Sequence, residues 1–415
     1  MKKLPDIRKA NIKGKTVLLR AELNVPLKKG ADKLFIEDDF RVSQTIETLR
    51  FLSSAGAKTI VCAHLGRPKG WQEEYSLRPV ADEISDRMTM KLVPIKESDA
   101  KLPHYDIPHI FFFEEDFRKE NNTKNLKDLN EGDIALLENI RFYPEEKKGD
   151  QNFAEALAGL ADIYVDDAFS VSHREDASVT IVPQILPHYA GPSFVKEYEA
   201  MSAVLDGAKK PVILMIGGIK VVDKLSGLTG LIERCDQVIV GGGLATLFFK
   251  AMGYEIGKSV FDEKNLATAK DLLRNYKNKL HLPLDVIVAR SPEKPDSVMV
   301  RKPDQVLPHE MILDIGTDTI MEYSNILRTG KTLIWSGPMG YFEVSTFSHG
   351  TKALGQVFSS RAGGEAYGIV GGGNTVSALR LMKMQEYVDH VSSSGSAMLK
   401  FLAGEEMPGL QALMK

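Results

Sequence analysis

Basic and polar side chains recur at regular stations in the first half of the chain. Glu22 and Asn24 close the stretch Arg20–Asn24, and Arg41 follows Asp38 and Asp39. His64 and Arg67 fall in His64-Leu65-Gly66-Arg67-Pro68, Arg141 in Asn139-Ile140-Arg141-Phe142, and Arg174 behind His173. Each follows a short apolar run or begins an amphipathic one. A guanidinium grips phosphate or carboxylate through two N–H groups at once, and an imidazole adds a further donor. At the start of a helix, where Arg41 is expected, backbone amides also favour an anion. Any one of these residues alone would read as a solvated surface charge. Together they predict a pocket for a small, multiply charged anion.

The second half offers glycine instead of arginine. Gly217-Gly218-Ile219-Lys220, Gly241-Gly242-Gly243 and Gly371-Gly372-Gly373 each stand between an apolar run and a helical pattern. Glycine there lets backbone approach a phosphate, and the helix opening near Thr375 would aim its amides at negative charge. Lys220 and Lys224 are four apart and share a face if that turn is helical. One glycine run needs no more than a tight turn; three of them with two lysines point to a nucleotide. Gly253-Tyr254-Glu255-Ile256-Gly257-Lys258-Ser259 imitates a Walker A loop but is one residue short and lacks a strand before it. The absence of a GxGxxG fingerprint after the first strand speaks against a nicotinamide enzyme. No HExxH or EF-hand spacing occurs. A magnesium ion would rest on one or two oxygens plus the nucleotide phosphates.

These stations need elements to carry them. Strands are expected at Thr16–Leu23, Thr59–His64, Ile134–Glu138 and Ile163–Asp167, then at Pro211–Ile216, Gln237–Val240, Val286–Ala289, Thr332–Trp335 and Gly368–Val370. The runs alternate little, as strands do when helices cover both faces of a parallel sheet. Helical spacing fills the gaps at Arg41–Leu52, with Asp38 and Asp39 as caps, and at Leu77–Met88, Phe153–Leu160, Asp223–Cys235 and Leu266–Lys277. This predicts α/β architecture: two doubly wound parallel-sheet domains, joined by a hinge helix, with a cleft between them. Pro183–Pro192 reads as the linker and Ser193–Leu205 as the helix. The expected domains are residues 1–188 plus 404–415, and 189–403.

At 415 residues with 43% apolar and 26% charged residues, the chain can fill two ordinary cores. A net charge of −3 makes it no general nucleic-acid binder. Cys62 and Cys235 read as buried thiols in a reducing compartment. The charged start predicts no signal peptide, and no apolar run approaches the roughly 20 residues of a membrane helix. A cytoplasmic monomer is expected.

The motifs also resemble, in family order and across nearly the whole chain, those of the phosphoglycerate kinases. They run from Arg20-Ala21-Glu22-Leu23-Asn24-Val25-Pro26 and the His64 and Asn139 motifs, through Asp167-Ala168-Phe169 and Gly217–Lys224, to Trp335-Ser336-Gly337-Pro338 and Gly371–Thr375. The resemblance implies reversible phosphoryl transfer in glycolysis, between 1,3-bisphosphoglycerate with ADP and 3-phosphoglycerate with ATP, using magnesium. It places the phosphoglycerate on Glu22, Asn24, Arg41, His64, Arg67, Arg141 and Arg174. Arg41, Lys220 and Lys224 become the catalytic residues. The nucleotide falls to Lys224, Gly242, Gly243, Leu313, Glu343, Gly372, Gly373, Asn374 and Thr375, with Asn374 as the magnesium ligand. Several positions depart from the family pattern: Asn374 and Glu22 where aspartate is usual, Ser336 for asparagine, Glu175-Asp176 for Ala-His, and Ser394-Gly395-Ser396 for a glycine triplet. They raise the alternative of a catalytically weakened relative kept for binding or regulation.

Overall fold

The protein is described by a computed structural model covering residues 3–30, 34–218 and 222–415. Two compact units emerge: Met1–Tyr198 with Met407–Lys415, and Glu199–Glu406.

In the first unit the strands are β1 (Thr16–Ala21), β2 (Leu27–Lys29), β3 (Leu34–Ile36), β4 (Lys58–Ala63), β5 (Leu92–Ile95), β6 (Ile110–Phe113), β7 (Ile134–Leu137), β8 (Ile163–Asp166) and β9 (His188–Ala190). All but β2 and β3 join one sheet in the order β5-β6-β7-β4-β1-β8-β9, every neighbour parallel. The helices are α1 (Phe40–Ser54), α2 (Arg78–Met88), α3 (Glu120–Lys127), α4 (Pro144–Lys148), α5 (Gln151–Ala158), α6 (Ala177–Thr180), α7 (Val182–Ile185) and the first part of α8 (Pro192–Gly207). Every residue of β6, β7 and β8 is buried, which explains why all of them except Asp166 are apolar. Val42, Ile46, Leu49 and Leu52 of α1 lie buried in one cluster with Val17, Leu19, Val61 and Leu136 of the sheet. At the start of α1, Asp38 rather than Asp39 accepts a helix-end N–H, that of Phe40 at 2.9 Å, and Asp39 makes no side-chain cap bond.

The Pro183–Pro192 segment is not a featureless linker. It contains the end of α7 and the strand β9, which pairs with β8 at the sheet edge. Three residues between Pro187 and Gly191 are too few to show a period. The division between units falls inside α8, at Tyr198/Glu199.

The second unit continues with β10 (Val212–Ile216), β11 (Gln237–Val240), β12 (Leu280–His281), β13 (Val286–Ala289), β14 (Met299–Arg301), β15 (Met311–Ile315), β16 (Thr332–Ser336), β17 (Tyr367–Gly371) and β18 (His390–Ser392). Its parallel sheet runs β12-β11-β10-β16-β17-β18. Val286–Ala289, expected in that parallel set, instead lies in an antiparallel sheet ordered β14-β13-β15. An apolar run of four residues carries no signal of its partner's direction. Helices α9 (Val222–Arg234), α10 (Gly242–Ala251), α11 (Leu266–Tyr276), α12 (Thr317–Thr329), α13 (His349–Ala362), α14 (Gly373–Leu381) and α15 (Gly395–Ala403) complete this unit. Trp335, Phe358, Leu354 and Tyr323 centre its core. The last helix, α16 (Pro408–Leu413), returns to the first unit, where the Gly409 N–H donates to the Ser172 carbonyl at 2.8 Å. Among the described residues, no helix is long and apolar enough to cross a membrane.

Candidate active site

Strands β7, β4, β1 and β8 are consecutive neighbours, and the loops at their carboxyl ends carry Arg141, His64, Glu22 with Asn24, and Arg174. Parallel pairing therefore delivers to one sheet edge residues spread over some 150 positions of sequence. His64 records their convergence. Burial pushes its pKa well below the usual histidine value, and the guanidiniums of Arg141, Arg20, Arg174 and Arg41 push in the same direction. Both effects favour the neutral ring. Arg20 NH2 lies 3.1 Å from His64 Nδ1; because arginine only donates, Nδ1 accepts and the proton sits on Nε2.

The loop after β4 is pinned from three sides. Asn24 Oδ1 accepts the Gly66 N–H at 2.9 Å, Arg141 NH1 donates to the Gly66 carbonyl at 2.8 Å, and Asn139 bonds both the N–H and the carbonyl of Leu65 at 3.2 and 2.8 Å. Gly66 has φ +61°, and a Cβ there would meet the Tyr75 ring at 2.4 Å, so glycine is required twice over. Arg41 donates to the Asn24 carbonyl, and its Nε lies 3.4 Å from Glu22 Oε1, while Ser170 donates its hydroxyl to Glu22 Oε2. Arg67 is exposed beside this loop. Its charge acts, with those of Arg141 and Arg174, on Lys147 of α4.

Arg141 carries the strongest signature of a ligand. It is 4% exposed, yet its Nε and NH2 are buried with no hydrogen-bond partner, and Arg174 Nε is in the same condition. Burial, then Arg174 and Arg20, lowers the Arg141 pKa to about 10. Buried cationic donors are rarely left unmatched, because desolvation without a partner is expensive. An anion with several oxygens would match them.

Beneath the pocket lies a polar network that the site prediction did not include. Arg20 is fully buried; its Nε donates to Ser178 Oγ at 3.0 Å and its NH1 to the Ala21 carbonyl at 2.8 Å. Ser178 in turn donates its hydroxyl to Glu146 Oε1 at 2.6 Å and its N–H to Oε2 at 3.0 Å. Burial raises the Glu146 pKa, and Arg20 opposes that rise. The available signal was Arg20 itself, a charge inside an apolar strand run. Nothing local marked Glu146 or Ser178.

In the second unit, a cavity of about 220 Å³ lies at the carboxyl ends of the strands. Five of the expected nucleotide residues line it: Gly242, Gly243, Leu313, Glu343 and Asn374. Gly372, Gly373 and Thr375 do not. Much of the wall is apolar, with Val260, Met311, Ile312, Leu313, Pro338 and Tyr341, a surface suited to a flat heterocycle. The Walker-like loop ends against this wall at Val260, but Ser259 Oγ is occupied by the Ile256 carbonyl and the Ile312 N–H. Lys220 lies outside the described residues. Lys224 falls in the first turn of α9, with its side chain outside the description.

The glycines divide into two kinds. A Cβ on Gly337 would sit 2.0 Å from the Gly217 carbonyl oxygen, one on Gly217 would sit 2.2 Å from that of Pro338, and one on Gly242 would sit 2.6 Å from Gly218 N. These glycines let three loops pack backbone to backbone. The indole of Trp335 fixes the arrangement by donating to the Gly337 carbonyl at 2.9 Å, and Thr375 Oγ1 accepts the Gly337 N–H at 2.6 Å. Gly373, the first residue of α14, has nothing within 4 Å of its would-be Cβ. Gly395, the first residue of α15, packs against Gly372. Two helix N-termini thus meet around an open backbone, the arrangement that binds anions.

The family model of phosphoglycerate kinase matches residues 7–405. A phosphoglycerate kinase of Dictyoglomus turgidum is 36% identical, covering 99% of this chain and 98% of its own length. That of Salinispora tropica is 37% identical over the same shares. Among solved structures, phosphoglycerate kinase from Coxiella burnetii matches with a TM-score of 0.78 at 33% identity, covering 99% of both chains. The enzyme from Pyrococcus horikoshii matches with a TM-score of 0.83 at 28% identity, covering 99% of this chain and 98% of that one.

Proposed function

Because the chain belongs to the phosphoglycerate kinase family, we propose that its two pockets divide the substrates, phosphoglycerate in the first unit and adenine nucleotide in the second. The protein is a phosphotransferase of the glycolytic type. A phosphoryl group leaves the acyl oxygen of 1,3-bisphosphoglycerate, that P–O bond breaking as a β-phosphate oxygen of ADP bonds to phosphorus. The carboxylate of 3-phosphoglycerate departs, and the reverse reaction follows the same path. Such transfer needs groups held in line and charge cancelled, with little covalent chemistry from the protein.

The observation that carries this reading is the buried Arg141, with two donor nitrogens lacking partners. Arg141 and Arg174 would take the oxygens of the phosphoglycerate, with His64 offering Nε2–H. Arg67 and Asn24 would complete the grip, Glu22 would orient Arg41, and Arg41 would face the migrating group. Lys220 and Lys224 would neutralise that group from the nucleotide side. Leu313 would border the adenine, and Glu343, exposed on the cavity wall, would accept the ribose hydroxyls. Gly372, Gly373 and Thr375 would line the phosphates at the α14 N-terminus.

Asn374 is exposed and lines the same cavity. Its amide oxygen suits a hard cation that takes most of its ligands from phosphate and water. Among the described residues, no cluster of three or more acidic, histidine or cysteine side chains offers another metal site. A magnesium ion arriving with the nucleotide would be held through Asn374 and would neutralise phosphate oxygens. Nothing in the comparisons favours the alternative of a weakened binding relative: the family match and the named relatives are phosphoglycerate kinases.

The test is ADP formation by the purified protein from ATP and magnesium, with and without 3-phosphoglycerate. Phosphoglycerate-dependent turnover is expected, and Lys224→Ala should abolish it. Turnover no greater than that of Lys224→Ala refutes the assignment.

A further inference from the structure

Asp176 occupies the N-cap position of α6, where an aspartate ordinarily turns its carboxylate onto the helix's own N–H groups. Here it makes no such bond. The residue is 5% exposed, and its Oδ2 is buried without a hydrogen-bond partner, 3.8 Å from Arg141 NH2. That distance is too long for a hydrogen bond but short for two buried opposite charges. The carboxylate therefore forgoes its local helix and faces the guanidinium that the anionic substrate needs. Its charge also reaches Lys147 and Glu146, so it lies among the pocket's ionic groups and not at their rim.

We propose that Asp176 is a built-in anion of the phosphoglycerate pocket. It is the standing counter-ion of Arg141 while that guanidinium has no ligand, and it opposes any negative ligand that arrives there. Asp176 thereby sets the pocket's affinity below what its arginines alone would give. It also discriminates by charge density, because a compact dianion at Arg141 meets more repulsion than a single carboxylate. The proposal rests on the assignment of this pocket to phosphoglycerate.

The variant is Asp176→Asn, which keeps size and shape and removes the charge. Its KM for 3-phosphoglycerate should fall about tenfold, equivalent to ~1.4 kcal/mol, while its KM for magnesium-ATP stays within about twofold of wild type, as expected for a local charge effect. In a second arm, inorganic sulfate is titrated against wild type and variant, with binding read from the thermal unfolding midpoint. Sulfate should bind the variant about tenfold more tightly. The sulfate arm needs no turnover, so it separates the two readings. A wild type without kinase activity refutes the function, whereas equal sulfate affinity refutes the role of Asp176. An unchanged or higher phosphoglycerate KM also overturns it. If Asp176→Asn does not fold, Asp176→Ser retains a capping oxygen and gives the same comparison. Failure of both to fold even in saturating 3-phosphoglycerate overturns the proposal, since a carboxylate needed for folding is a structural counter-ion.

Discussion

Replacing Arg20 by methionine should unbalance the first unit from beneath its pocket. The guanidinium is fully buried and separated from the Glu146 carboxylate by one serine hydroxyl. At an effective dielectric of about 20, charges that close attract by roughly 3 kcal/mol. Removing one partner also strands the other, so Arg20→Met should cost about 3–5 kcal/mol. Arg20→Met with Glu146→Gln should lose at least ~2 kcal/mol less than the sum of the single changes. Urea unfolding reads this well in a Trp335→Phe background, where Trp71 is left as the sole tryptophan and reports on the first unit. Burial already holds the Glu146 pKa above its usual value, and losing Arg20 lifts it further. A raised carboxylate penalises the fold increasingly as pH climbs through its folded pKa. The gap between Arg20→Met and its parent should therefore narrow as pH falls. A coupling energy below ~0.5 kcal/mol, or a gap that widens toward acid, would refute the claim that Arg20 and Glu146 act as a pair.

Further expectations concern the two pockets separately. The depressed pKa of His64 means its neutral form stabilises the fold above about pH 6.5, and this contribution drains away as pH drops toward the folded value, by up to ~1.4 kcal/mol per pH unit; the stability difference between wild type and His64→Gln should shrink from pH 7 to 5, and parallel curves would contradict this. Gly337→Ala, forced against the Gly217 carbonyl at φ +99°, should cost about 3 kcal/mol or more. Gly373→Ala, facing open space, should stay within ~0.5 kcal/mol of wild type while raising the KM for ATP; equal thermal shifts for the two would undo the division between packing and ligand glycines. Asn374→Asp should lower the magnesium concentration giving half-maximal activity, and an unchanged requirement would show that the amide is not the weak point.

The arginine stations were legible because chemistry and position coincide in sequence: Arg67, Arg141 and Arg174 follow strand-sized apolar runs whose ends a parallel sheet gathers at one edge, and Arg41 opens an amphipathic helix. The counter-charges were not. Glu146 and Ser178 meet Arg20 only through the packing of α4 against α6, and no spacing rule connects residues 20, 146 and 178. The orientation of Asp176 was equally hidden, since sequence alone favours a helix cap there. The glycine runs were found for a reason that is only half right, as Gly217, Gly242 and Gly337 admit one another's backbones and Gly373 is left open. The antiparallel β14-β13-β15 sheet escaped because its strands span three to five residues, below the length at which period separates strand directions.

Helix α16 gives the chain an order of assembly. Its Gly409 N–H grips the Ser172 carbonyl, two residues before Arg174. A ribosome making this protein releases residues 1–198 early, yet the loop bearing Arg174 waits for its clasp until some two hundred further residues have been synthesised. The nascent first unit is thus left unlatched at its own pocket, and a truncation anywhere before α16 should yield a polypeptide that carries the arginines without the clasp beside them.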